Sequence, residues 1–158
     1  SLDISPLSGE ELFFMFICEG KKSFAQILEK SLNEYIEDFI GYEHTQKLNA
    51  LLPTHITVGK GRKIQVHYEA QKQPYICSRL QDFFGTLQTP RILNSQLSLV
   101  VHLLAPNMQS VQVTTDLAGF WQRGYLEVRK ELCRKYPRHA WPEDPKNAEP
   151  PDLIRKKR

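Results

Sequence analysis

Apolar positions recur at helical spacing through the first third of the chain. Phe24, Ile27 and Leu28, then Leu32, Tyr35, Ile36, Phe39 and Ile40, lie three or four residues apart, and Ser23 precedes them as a candidate cap. Gly41 supplies a stop. Leu48, Leu51 and Leu52 then share one face of a shorter helix over 44–52, which Pro53 ends because the residue before proline is pushed out of the helical region. The earlier run Leu12 to Cys18 fits either a helix start or a buried strand. It falls well short of the ~20 apolar residues of a membrane span. It also follows Glu10-Glu11 and not a basic stretch, so it does not read as a secretory signal, and no membrane partner is expected.

After Pro53 the period changes to two. His55 to Val58 and Lys63 to Tyr68 alternate around a Gly59-Lys60-Gly61-Arg62 turn, which predicts a hairpin with Ile64, Val66 and Tyr68 on one face. Pro74 is placed to open a helix carrying Ile76, Leu80, Phe83 and Phe84, with Gly85 closing it. A second hairpin is predicted over 90–104, turning at Asn94-Ser95. Leu97, Leu99, Val101 and Leu103 make one apolar face, and Val100 and Leu104 imply a partly covered second face. Val111 to Thr115 returns as a strand, and helices over 117–122 and 125–136 follow. Asp116, or Thr115 beside it, is positioned as cap, with Leu117, Phe120, Trp121, Tyr125, Val128, Leu132 and Tyr136 as the inward stripe. The fold class predicted is α+β: N-terminal helices, then a small, mainly antiparallel sheet with packed helices. Three segments are expected: a helical segment 1–53, an α+β domain 54–145 and a proline-rich basic tail 146–158, expected to be disordered because it has no visible means of burying surface.

Charge is distributed unevenly. Residues 1–53 hold four basic and nine acidic side chains, net −5, whereas residues 121–158 hold eleven and six, net +5. Such a gradient points to an anionic partner at the C-terminal end. The cations concerned are Arg123, Arg129, Lys130, Arg134, Lys135 and Arg138, together with the run Arg155 to Arg158. Two readings stand side by side. Cations near a helix C-terminus complement its dipole, or they contact phosphates. Trp121 reads as core, and Trp141 as either a clamp on the chain or an exposed stacking platform.

Catalytic chemistry is absent from the pattern. There is no GxxxxGK[ST] loop, no GxGxxG opening a helix, no HExxH and no CxxC. No cofactor is therefore expected. The three cysteines, Cys18, Cys77 and Cys133, are odd in number and widely spaced, which suits a reducing, cytoplasmic compartment. Cys77, placed at a helix start, is a weak nucleophile candidate better read as a buried structural thiol. His67 and His102 are expected to meet across the sheet, most simply as half-buried, hydrogen-bonded side chains.

Several stretches together carry a family resemblance: LPTHITVGKGRKIQVHY (52–68), RLQDFFG (79–85), TPRI (89–92), HLLAP (102–106), VQVTTDLAGFWQRGYLEVRKEL (111–132) and RKYPRHAWPEDP (134–145). They resemble the C-terminal domain of HrpB-type ATP-dependent helicases, bacterial DExH-box proteins presumed to act on RNA. One departure is Leu126, where the family usually has proline at the start of the last helix. The resemblance implies an accessory piece of a helicase whose ATPase motifs lie in RecA-like domains outside these residues, so the fragment itself is expected not to be an enzyme. It implies RNA, and the RecA-like and ratchet domains of the parent helicase, as partners. Two function classes follow. One is a domain that assists RNA binding through a basic face. The other is a protein-interaction or scaffolding domain, acting through the acidic helical part.

Overall fold

Serines set the register of the first helices. The structure, a computed structural model, describes residues 8–59 and 61–151. The chain divides into two compact units between Ala50 and Leu51. In the first, α1 (Gly9–Cys18) begins at a capping box: the Ser8 hydroxyl accepts from the Glu11 backbone and the Glu11 carboxylate accepts from the Ser8 backbone. The same device, Ser31 with Glu34, starts α3 (Leu32–Ile40), and Gly41, at φ +85°, ends it. The helix expected to run on from Ser23 is therefore two: α2 is only Phe24–Ile27, and Ser23 makes no side-chain cap. The interruption follows from the second capping box, which fixes a new helix start. Phe13 and Phe16 pack on Phe39 with ring centroids 5.3 and 5.4 Å apart, and Ile17 and Tyr35 are buried. Helix α4 (Tyr42–Leu51) completes this part.

The second unit is built on a five-stranded sheet. Its strands are β1 (His55–Val58), β2 (Arg62–His67), β3 (Tyr75–Arg79), β6 (Val100–Leu104) and β7 (Ser110–Thr114), in spatial order β1-β2-β3-β6-β7. All neighbours are antiparallel except β3 and β6, which run parallel with Cys77 opposite His102. A small antiparallel pair, β4 (Arg91–Ile92) and β5 (Leu97–Ser98), stands apart. The α+β class with a mainly antiparallel sheet is thus what the chain adopts.

The largest local departure from the pattern reading is at Pro74. The segment after it is not a helix but the central strand, followed by one 3₁₀ turn over Leu80–Phe83. Ile76, Leu80, Phe83 and Phe84 all face the core as expected, but from two different elements. Cys77 accordingly sits on a strand, not at a helix start, and burial raises its thiol pKa. Likewise the second hairpin is cut short. Leu93, Asn94 and Ser95 all take positive φ in the β4–β5 turn, and at Leu99 the chain leaves the pair for the main sheet.

Against the inner face of the sheet lies one helical rod: α5 (Leu117–Gly119), a π-helical turn over Phe120–Gly124, and α6 (Tyr125–Lys135). Leu117, Phe120, Trp121, Tyr125 and Leu132 join Val58, Ile64, Val66, Ile76, Phe83, Phe84, Val101 and Leu103 in one core. The rest of the chain wraps back over it. The buried Gln81 amide donates to the Ala140 carbonyl at 2.9 Å, and the Gly85 N–H to the Pro145 carbonyl at 2.9 Å. Ala148 packs on the core, so residues 146–151 find surface to bury that the sequence pattern did not show. The run Arg155 to Arg158 lies outside the described residues.

Candidate nucleic-acid interface

Arg123, Arg129, Lys130, Arg134, Lys135 and Arg138 all lie on or just after the rod, but they do different work. The rod starts at Asp116, whose Oδ1 accepts from the Gly119 N–H at 2.8 Å, an N-cap worth roughly 1 kcal/mol. Its Oδ2 pairs with Arg123 at 3.1 Å, with both side chains well exposed. Arg129 is a strut. Its Nε donates to the Trp141 carbonyl at 2.8 Å, and its Nη2 lies 3.4 Å from Glu143. Lys135 places its ammonium 5.7 Å from the Tyr136 ring centroid.

That leaves Lys130, Arg134 and Arg138. All three are exposed, and none of their side chains has a hydrogen bond or ion pair among the described residues. Lys130 and Arg134 sit one turn apart on α6, and Arg138 follows three residues beyond the helix end. Glu127 and Glu131 are exposed on the same helix, so its charge is four basic against two acidic. Arg134 and Lys135 also occupy the last turn, where they complement the helix dipole.

Both tryptophans are in the body of the protein. Trp121 is 4% exposed, and its Nε1–H donates to the Thr86 carbonyl at 2.8 Å. Trp141 is 8% exposed and donates to the Tyr136 carbonyl at 3.0 Å. It is a clamp that returns the chain to the rod, not a free platform. Tyr125, fully buried, donates to the Pro142 carbonyl at 2.7 Å, and burial pushes its phenol pKa up to about 12.

The sheet's other face brings together groups that the pattern left scattered. His67 and His102 do not meet directly: strand β3 lies between theirs, and Tyr75 separates the two rings. The His67 ring stacks on Tyr75 at 4.8 Å, and Tyr75 meets His102 at 4.9 Å. The Tyr75 hydroxyl donates to Glu69 at 2.6 Å, which raises its pKa, while Glu69 is held below its usual range chiefly by Lys72. Lys63 and Arg79 are further exposed cations on strands, without ion pairs among the described residues. Reading 75–79 as helix hid this arrangement. Of Tyr75–Arg79 only Ile76 is buried, so the segment offers no clear period-two alternation by which the strand could have been read. No group of three or more His, Cys, Asp or Glu side chains among the described residues is placed to hold a metal ion. No helix among them is long and apolar enough to cross a membrane.

Comparison with known proteins gives this geometry a family. Residues 13–145 match the family described as ATP-dependent helicase C-terminal, so the match takes in most of the helical unit as well as the sheet and rod. The chain is 32% identical over 154 residues to the ATP-dependent RNA helicase HrpB of Escherichia coli K12; that alignment covers 98% of the chain but 19% of the helicase. Two crystal structures share the fold. One is of the E. coli DExH-box NTPase HrpB, with TM-score 0.80 and 30% identity over 92% of the chain and 19% of the solved one. The other is of the E. coli DEAH/RHA helicase HrpB, with TM-score 0.63 and 28% identity over 85% and 18%. The chain thus spans about a fifth of the length of these relatives. By sequence along most of its length and by fold, it belongs to the HrpB-type ATP-dependent helicase C-terminal family.

Proposed function

We propose that this chain is the accessory, non-catalytic C-terminal domain of an ATP-dependent RNA helicase and that it helps to hold RNA through a basic surface centred on Lys130, Arg134 and Arg138. Phosphate contacts of this kind position a nucleic acid without reading its sequence. The observation that carries the reading is that these three cations are exposed and unpaired among the described residues, while Arg129 is committed to the fold. Arg123 and Lys135 flank them as secondary contacts, each already engaged by a neighbour. The same surface is soluble and membrane-free in this reading, as suits a cytoplasmic bacterial helicase. Sequence motifs for ATP hydrolysis are missing from the chain, so its part in the helicase cycle is to retain or guide the strand.

The test is a titration of labelled single-stranded RNA against the parent chain and a Lys130→Glu/Arg134→Glu/Arg138→Glu variant. The parent binds weakly and with little sequence preference, and the variant loses binding across all sequences. No binding by the parent at low salt refutes the RNA reading. ATP turnover by the purified chain, stimulated by RNA, refutes the non-catalytic part.

A further inference from the structure

Past the end of α6 the backbone is pinned at every turn. The Tyr136 carbonyl accepts from the His139 N–H at 3.1 Å and from the Trp141 Nε1–H at 3.0 Å. The Ala140, Trp141 and Pro142 carbonyls accept from Gln81, Arg129 and Tyr125 at 2.9, 2.8 and 2.7 Å. A segment tied down in this way holds what it displays in one place, so little freedom is left to lose on binding. What it displays is His139. Trp141 is buried and Tyr136 half-buried, but His139 is exposed. Its ring leans on both neighbours. It stands edge-on to Tyr136, with centroids 6.1 Å apart at 89°, and lies 6.3 Å from Trp141 at 44°. Its side chain makes no hydrogen bond or ion pair among the described residues. The ring is therefore buttressed from behind and unused in front.

Its surroundings narrow what it takes. Arg138 is the preceding residue, and Lys130 and Arg134 lie on the helix that ends just before it. A metal ion is not the ligand, since no group of three or more His, Cys, Asp or Glu side chains among the described residues is placed to hold one. A fixed flat ring in a basic setting suits a flat ring that carries phosphate, which is a nucleotide. Only an unpaired base has a free π-face to offer, because a base inside a duplex is covered by its neighbours in the stack. Trp141, the more obvious platform in the sequence, is spent on the clamp, and the clamp is what fixes His139.

We infer that His139 stacks on an unpaired base of the strand whose phosphates meet Lys130, Arg134 and Arg138, and that this contact makes the site select single strands over duplexes. The inference rests on the reading of those three cations as RNA contacts and adds to it a substrate class and the residue that sets it. Phosphate contacts alone carry no such selection. Stacking does so without reading sequence, since every base has a π-face.

The test compares a labelled oligouridylate with an RNA duplex of the same length, titrated by fluorescence anisotropy against the 158-residue chain, His139→Ala and His139→Phe. The parent should prefer the single strand by about tenfold, the order of one stacked base. His139→Ala should lose about that factor on the single strand and nothing on the duplex. Its slope of log K against log salt should match the parent's, because the ring neutralises no phosphate. His139→Phe should restore the preference, which separates stacking from a cationic role at the helix end. Thermal melts of both variants should match the parent, since the side chain is exposed and unbonded. Equal loss on single strand and duplex, parent-like binding by His139→Ala, or no rescue by His139→Phe each overturns the inference. A parent that binds single strand and duplex equally keeps the basic surface and removes the stacking. A parent that binds neither removes the RNA reading and the stacking with it.

Discussion

Arg62 is predicted to matter far more for what it neutralises than for what it contacts. Asp82 lies in the 3₁₀ turn at the core with its side chain 4% exposed, and its Oδ1 is 2.5 Å from the Arg62 guanidinium, whose side chain is 22% exposed. The approach is an ion pair, not a well-aligned hydrogen bond, since Oδ1 has no hydrogen-bond partner among the described residues. The other carboxylate oxygen accepts from the Ser78 hydroxyl at 2.5 Å. Arg62→Met removes the only cation among the described residues paired with a carboxylate that water scarcely reaches, and should cost roughly 3–5 kcal/mol. Asp82→Leu leaves Arg62, which can turn to solvent, and an unpaired Ser78 hydroxyl, for about 1–2 kcal/mol. The asymmetry follows from the two exposures. In the Asp82→Leu background, adding Arg62→Met should cost under about 1 kcal/mol, because no buried charge remains to be stranded. Thermal and urea melts of the four proteins complete the cycle. At about 4 °C per kcal/mol for a unit of this size, Arg62→Met alone lowers Tm by roughly 12–20 °C. An equal Arg62→Met penalty in both backgrounds would falsify the argument and reduce the pair to a surface contact.

Other outcomes follow from single sites. Trp121→Ala empties a site walled by Phe84, Phe120 and Tyr125 and should cost roughly 3–5 kcal/mol in a urea melt; a parent-like melt would mean the ring is not core. Tyr125, with its folded pKa raised to about 12 from 10.0, favours the neutral phenol. Its contribution to stability is complete below about pH 10 and lost as pH rises toward 12, so Tyr125→Phe should flatten that alkaline limb, and an unchanged limb counts against the burial cause. Gly59 sits at φ +52°, and a Cβ there would lie 2.8 Å from the Phe84 carbonyl oxygen. Gly59→Ala should therefore cost about 1–2 kcal/mol from backbone strain plus the collision, and a neutral melt would show that the turn can relax.

Long-range order was legible where one periodicity held across a whole element. The 55–67 hairpin and the Leu117-to-Leu132 stripe recur in the structure because each buries a single face, although Tyr68, expected on the inward face, lies past the strand end and is exposed; Leu99, Val101 and Leu103 are buried as expected, and so is Leu104 on the second face of β6. Reading failed where two short elements shared a helical spacing. Ile76, Leu80, Phe83 and Phe84 fit one amphipathic helix as a list, yet strand β3 needs Ile76 between Val66 and Val101, pairings that no local pattern contains. The break between α2 and α3 was legible in Ser31-Leu32-Asn33-Glu34, a capping-box sequence inside a continuous apolar stripe. For the candidate interface, the sequence located the cations but not their partners. Arg129 reaches Trp141 and Glu143 only because Trp141 turns the chain back onto the rod, and that return rests on tertiary bonds such as Tyr125 to Pro142.

The most direct test of the account is the salt dependence of RNA binding by the intact chain. Three phosphate contacts on a single strand give a slope of log K against log salt of roughly −0.7 × 3, or about −2. Between 50 and 200 mM salt, that is a loss of roughly sixteenfold. The parent chain should show this slope. Charge reversal at Lys130, Arg134 and Arg138 should flatten it toward zero, and Arg129→Ala should lower stability without changing it. A slope that survives the triple reversal would place the contacts elsewhere on the domain, and a parent chain that binds no RNA even at 50 mM salt would contradict the account at its centre.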